Sequence, residues 1–140
     1  NLDLLAEAVE GPKDVTTSLK GMKGRAEIIW MLPDITVSIP RTLELFTLFS
    51  LENHIPLVTY SEKYLEKGAF MSIGLDLFEM GRQAGEMANA ILAGSDLSSL
   101  PPKEASAAVI TVNKIIADKF AIEIDDATLD VVHVYKQDRP

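Results

Sequence analysis

Ala26-Glu27-Ile28-Ile29-Trp30-Met31-Leu32-Pro33-Asp34 is the stretch on which the fold turns. Its middle is almost continuously apolar, and it stops at a proline followed by an acid. Residues 26–32 therefore predict a central parallel strand covered on both faces. Working outward, short apolar runs at 2–9, 55–60, 69–73, 107–112 and 131–135 read as further strands. Between them lie segments with helical spacing. Pro12 opens a helix over 12–22 with Val15, Leu19 and Met22 on one face. Pro40 opens a second over 40–52, in which Leu43, Phe46, Leu48 and Phe49 predict deep burial. Residues 61–66 form a short turn of helix, stopped by Gly68. A long helix covers 77–92, with Met80, Ala84, Met87, Ala88, Ile91 and Leu92 at helical spacing. Asn113 caps a helix over 113–120, and Asp125 caps a last turn. Strand and helix alternate, which is the pattern of an α/β fold with a mostly parallel open sheet flanked by helices. Residues 95–103, with Pro101-Pro102, read as a linker within one lobe spanning 1–140.

The composition narrows what this lobe does. A chain of 140 residues has room for one ordinary domain. Hydrophobic residues make up 47%, enough for a real core, and no apolar run is long enough to span a membrane. The formal net charge of -8 argues against nucleic acid, whose phosphates require a basic face. The absence of cysteine excludes disulfides, thiolate metal sites and a cysteine nucleophile.

The chemical motifs fail one by one. Gly21-Met22-Lys23-Gly24 lacks the Lys-Ser or Lys-Thr ending of a phosphate loop and follows a helix, so it reads as a helix stop. His54 and His133 have no second ligand at helical spacing, so no metal site is expected. Asp125, Asp126 and Asp130 lack calcium-loop spacing and read as helix capping. No nucleophile–base pair is present, so no catalytic residue is assigned and no cofactor is expected.

What remains is a set of polar residues just past the carboxyl ends of strands, the edge at which open parallel sheets bind ligands. Asp34 follows the first quoted run, Tyr60 and Ser61 follow the strand at 55–60, and Asp76 follows the strand at 69–73. Carboxylate, phenol, hydroxyl and carboxylate on one edge form a recognition site without catalytic machinery. For Asp34 and Ser61 the competing reading is capping of the helices that follow them. The Met80 and Met87 stripe reads as core packing before it reads as a binding surface.

These residues resemble a known family. Residues 26–34, then Ile55-Pro56-Leu57-Val58-Thr59-Tyr60-Ser61-Glu62-Lys63-Tyr64, then Gly68-Ala69 onward to Met80-Gly81-Arg82-Gln83-Ala84, and lastly 112–124, are similar in order and spacing to the substrate-binding proteins of ABC transporters, tryptophan/tyrosine type. Ala121 is a departure, since the family often has Gly there. The resemblance implies one lobe of a type I periplasmic-binding-protein-like fold, with the ligand clamped between two lobes by hinge closure. This chain then supplies most of the C-terminal lobe. Asp34 and Ser61 face the cleft, and 74–77 is a hinge crossover through Gly74 and Leu75.

The resulting expectation is the solute-binding component of an ABC importer. It takes a small polar ligand, an amino acid or related metabolite, and works with a membrane permease outside the cytoplasm, its signal peptide lying upstream of this chain. The helix 77–92, lacking the other lobe, is expected to hide its apolar face, for example by homodimerising. The alternative is a ligand-sensing module of a signalling or transcription-regulatory protein with the same fold. A receiver-like domain fits poorly, because Asp3 and Asp34 do not give its acidic cluster and phosphoacceptor arrangement.

Overall fold

The computed structural model describes residues 2–96, 98 and 100–136. Its elements in chain order are α1 (Pro12–Met22), β1 (Ile29–Trp30), α2 (Pro40–Asn53), β2 (Leu57–Thr59), a 3-10 turn (Glu62–Tyr64), β3 (Met71–Leu75), α3 (Leu77–Leu92), β4 (Ala108–Val112), α4 (Lys114–Lys119), α5 (Asp126–Leu129) and β5 (His133–Val134). The strands form one sheet in the order β1-β2-β3-β4-β5 among the described residues. β1 pairs parallel with β2, β2 with β3, and β4 with β5. β3 and β4 run in opposite directions. Phe70 O accepts from the Asn113 N–H at one end, and Ala107 O from the Asp76 N–H at the other. The sheet is thus mixed but mostly parallel, the α/β architecture expected.

The chain divides into two compact units, residues 1–73 with 110–140, and residues 74–109. The first holds the core: Val15 and Leu19 of α1, Ile29 and Met31 along β1, Phe46 of α2, Leu57 of β2, and Tyr64, Leu65 and Ala69 beyond it. α1 follows its pattern closely. Pro12 sits in its first turn, Asp14 accepts from the Gly11 N–H at 3.1 Å, and Val15 and Leu19 are buried.

The run at 26–32 differs from the expectation of a central strand. β1 is short and lies at the sheet's edge, with Ile29 and Met31 buried but Trp30 58% exposed and Leu32 55% exposed. One face is covered and the other is not, so alternation in burial is hidden beneath continuous hydrophobicity. The first predicted strand, 2–9, does not form. No neighbouring strand satisfies its backbone groups, Leu2 and Leu4 are almost fully exposed, and only Val9 packs partly on the core.

α2 begins at Pro40 as expected, with Phe46 in the core and Leu43 and Phe49 packed partly against it, but Leu48 is not buried. Thr42 and Ser50 are fully buried beside Phe46, while Leu48 is half exposed. Thr42, Phe46 and Ser50 follow one another at four-residue spacing, and the small side chains of Thr42 and Ser50 let the helix lie close to its neighbours. Gly68 shows how close. It has φ +105, and a Cβ there would come within 3.1 Å of the Thr47 methyl.

At the far end of this unit, Asn113 caps α4 and Asp125 caps α5. Ala121 lies just past α4 with φ +54. This is the left-handed position at which a helix end favours glycine, which accounts for the glycine common there in the resembled family. His54 takes the same conformation at the end of α2, its ring against Phe120. It ends a helix and precedes β2.

The second unit contains α3. The side chain of Gln83 pins the returning segment, donating to Glu104 O and accepting from the Ser106 N–H, each at 3.2 Å. Glu79 accepts from Arg82 and from Ser106 Oγ, and these bonds hold its carboxyl at about 2. No residue of α3 is buried, and Leu77, Phe78 and Leu92 are each more than three-quarters exposed. Met80 is 38% exposed, so the core-packing reading of the Met80 and Met87 stripe is not met within this chain. The linker carries no regular structure at Pro101-Pro102, and residues 97 and 99 lie outside the described residues.

Candidate functional site

Parallel pairing of β1 with β2 sets their carboxyl ends side by side. Pro33 ends the β1 run, and the chain turns through 34–38. Asp34 Oδ1 accepts from the Thr36 N–H at 2.7 Å, and Asp34 O accepts from the Ser38 N–H at 2.9 Å. The turn tucks Val37 into the core and leaves Asp34 exposed. Asp34 therefore organises its own turn and does not cap α2, whose N-cap is Ile39.

Ser38 meets the end of β2. The Tyr60 hydroxyl donates to Ser38 Oγ at 2.7 Å and lies 2.7 Å from the Tyr64 hydroxyl. The two rings stand edge to face at 5.3 Å, and the Lys63 ammonium sits 4.8 Å from the Tyr64 ring centroid. Tyr64 is buried, whereas Tyr60 and Ser38 are half-buried. Ser61 occupies the N-cap position of the 3-10 turn, but its side chain makes no cap bond. Its carbonyl does the work, accepting from the Tyr64 N–H at 3.2 Å and from Thr59 Oγ1 at 3.3 Å.

The first unit thus joins Tyr60 to two residues that the sequence did not single out, Ser38 and Tyr64. Tyr64 was visible in principle, since it follows Tyr60 at the i+4 spacing of a helical turn. Ser38 lies 22 residues away and has no sequence signal. Asp76 belongs to the second unit. There it caps α3, its Oδ1 accepting from the Glu79 N–H at 2.9 Å. Gly74 and Leu75 end β3, and Gly74 is the first residue of that unit.

The phenols respond to this arrangement in opposite directions. Burial alone would raise Tyr60, but once ionised its oxygen can accept from the Ser38 and Tyr64 hydroxyls, and these bonds with the charge of Lys63 outweigh burial and bring Tyr60 below the ordinary 10.0. Burial and the bond to Tyr60 hold Tyr64 above that value. Ultraviolet titration of the three tyrosines should therefore show one phenolate forming early, absent in Tyr60→Phe. In Ser38→Ala that early step should move to higher pH, because one of the bonds that lowers it is gone. An unchanged early step in Ser38→Ala would contradict the arrangement.

Asp34, Ser38, Tyr60 and Ser61 thus lie just past the carboxyl ends of β1 and β2 on a mostly parallel sheet. The model of the ABC transporter substrate binding protein family matches residues 1–134. This chain belongs to that family. A tyrosine-binding protein of Clostridioides difficile is 21% identical over 99% of this chain and 39% of its own length. Among solved structures, the ligand-free, open form of a Clostridium difficile substrate-binding protein with adhesive properties superposes with TM-score 0.75 at 22% identity, over 94% of this chain and 43% of that one. An ABC domain from Streptococcus pneumoniae in complex with L-Trp gives TM-score 0.67 at 21% identity, over 91% and 44%. The chain spans about two-fifths of the length of these relatives. The fold is that of ABC substrate-binding domains of the periplasmic-binding-protein type, and the family is one of substrate-binding proteins.

Proposed function

We propose that this chain is the greater part of one lobe of an importer's solute-binding protein, and that the solute is an α-amino acid with an aromatic side chain. The observation that carries the reading is the polar strand edge of the first unit, where Asp34, Ser38, Tyr60 and Ser61 gather beyond β1 and β2 in a chain of this family. Asp34 accepts from the ligand ammonium, Tyr60 offers a ring edge, and Ser61 keeps its hydroxyl for the ligand. The relatives support the ligand class, one named for tyrosine binding and one solved with L-Trp. In the second unit the proposal is a hinge at Gly74 and Leu75, and a ligand contact from the Asp76 carboxylate, whose capping bond engages one oxygen. A permease partner and an extracytoplasmic setting go with this reading, as does self-association through α3. No helix of the described residues is long and apolar enough to cross a membrane.

Calorimetric titration of the protein that carries this chain against the twenty amino acids tests the reading. Saturable binding is expected for tryptophan or tyrosine, with weaker heats for glycine and aspartate. Silence toward all twenty would overturn it.

A further inference from the structure

Hydrogen counting along the tyrosine relay singles out Ser38. Each hydroxyl carries one hydrogen. The Tyr60 hydrogen points to Ser38 Oγ, so at the other contact Tyr60 must accept, and Tyr64 is the donor. The relay therefore runs in one direction, from the buried Tyr64 through Tyr60 to Ser38. Ser38 accepts at its oxygen and is left with its own hydrogen. Among the described residues nothing accepts that hydrogen, although Ser38 is only half-buried and open to an incoming group. A donor at the end of a relay is polarised by the bonds behind it, so it is best matched by a strong acceptor.

The surroundings narrow the acceptor's chemistry. The Lys63 ammonium lies over the Tyr64 ring at the buried end of the relay, favouring negative charge along it. Asp34, in the same turn as Ser38, spends Oδ1 on the Thr36 N–H and presents its charge to solvent. One short turn thus offers a carboxylate and a hydroxyl donor, which is the complement of a zwitterion.

We propose that Ser38 donates to the carboxylate of the bound amino acid while Asp34 takes the ammonium, so that the 34–38 turn selects α-amino acids over the corresponding amines. This rests on the amino-acid reading above and adds a specificity-determining residue to it. Tyr60 and Tyr64 act through Ser38 as positioning residues.

The test uses the whole protein that carries this chain, with L-tryptophan and with tryptamine, which keeps the ring and the ammonium but lacks the carboxylate. Ser38→Ala should weaken tryptophan by about 10-fold, the effect of a lost charge-assisted hydrogen bond. Tryptamine, already the weaker ligand, should be unaffected, and Ser38→Thr should restore tryptophan. Circular dichroism of each variant confirms the fold. A second readout applies to the wild type. Bound tryptophan should raise the early tyrosine ionisation, because its carboxylate takes the Ser38 hydrogen and adds negative charge beside the relay. If Ser38→Ala weakens both ligands equally or neither, or if tryptophan leaves that ionisation unmoved, the assignment of Ser38 is wrong while the amino-acid reading stands. If the wild type binds neither ligand nor any other amino acid, both are wrong.

Discussion

Asn113→Ala lowers the stability of the chain by about 1–3 kcal/mol, the cost of a lost helix cap together with a lost buried hydrogen bond. Asn113 is 4% exposed and, besides the helix bonds that its carbonyl accepts from Ile116 and Ala117, makes three more. Its Nδ2 donates to Leu65 O at 2.9 Å, its Oδ1 accepts from the Ile116 N–H at 3.3 Å, and its own N–H donates to Phe70 O at 2.8 Å. Alanine keeps only the last. It removes the side-chain cap of α4 and cuts the tether to Leu65 O, just beyond the 3-10 turn that carries Tyr64, leaving that carbonyl only the Gly68 N–H at 3.1 Å. A buried bond lost without water to replace it costs more than one exchanged with solvent. Asp125, which caps α5 in the same way but in full exposure, is the internal control. Urea midpoints of the two alanine variants check the argument. A loss for Asn113→Ala no greater than for Asp125→Ala would mean that the tether to Leu65 contributes nothing.

The elements that announce themselves locally were legible in the sequence. α1 and α2 start where Pro12 and Pro40 dictate, α3 spans the 77–92 of its apolar spacing, and the caps at Asn113 and Asp125 follow from side-chain chemistry within three residues. What depends on distant partners was not legible. Whether residues 26–32 form a central or an edge strand is decided by which strands lie beside them, and an unbroken apolar run looks the same in both places. The 2–9 segment has the composition of a strand but no partner, and composition cannot supply one. In α2, burial of Thr42 and Ser50 in place of Leu48 reflects how close the neighbouring backbone comes, as the contact between Gly68 and Thr47 shows.

The candidate site divides along the same line. That Tyr60 and Ser61 lie at a strand's carboxyl end was legible, because strand ends in parallel sheets are recognisable from sequence. The place of Asp34 past the β1 run was legible for the same reason, although it organises a turn and does not cap a helix. Asp76 was read as a strand-end ligand without its capping role, although an aspartate one residue before a helix is also the usual sign of a cap. Ser38 was missed because it becomes significant only when the 34–38 turn delivers it to Tyr60.

The central claim is that this turn holds an amino acid, and Asp34 tests it most directly. Asp34→Ala removes both the charge and the turn bond to Thr36, whereas Asp34→Asn keeps an oxygen for that bond and removes only the charge. The measurement is calorimetric titration of L-tryptophan into the whole protein carrying each variant. The account predicts a loss of about 1–3 kcal/mol in both, or roughly 5- to 150-fold in Kd, because the ligand ammonium loses its partner in either case. Wild-type affinity in Asp34→Asn would contradict it, leaving Asp34 as a residue that shapes a turn and touches no ligand.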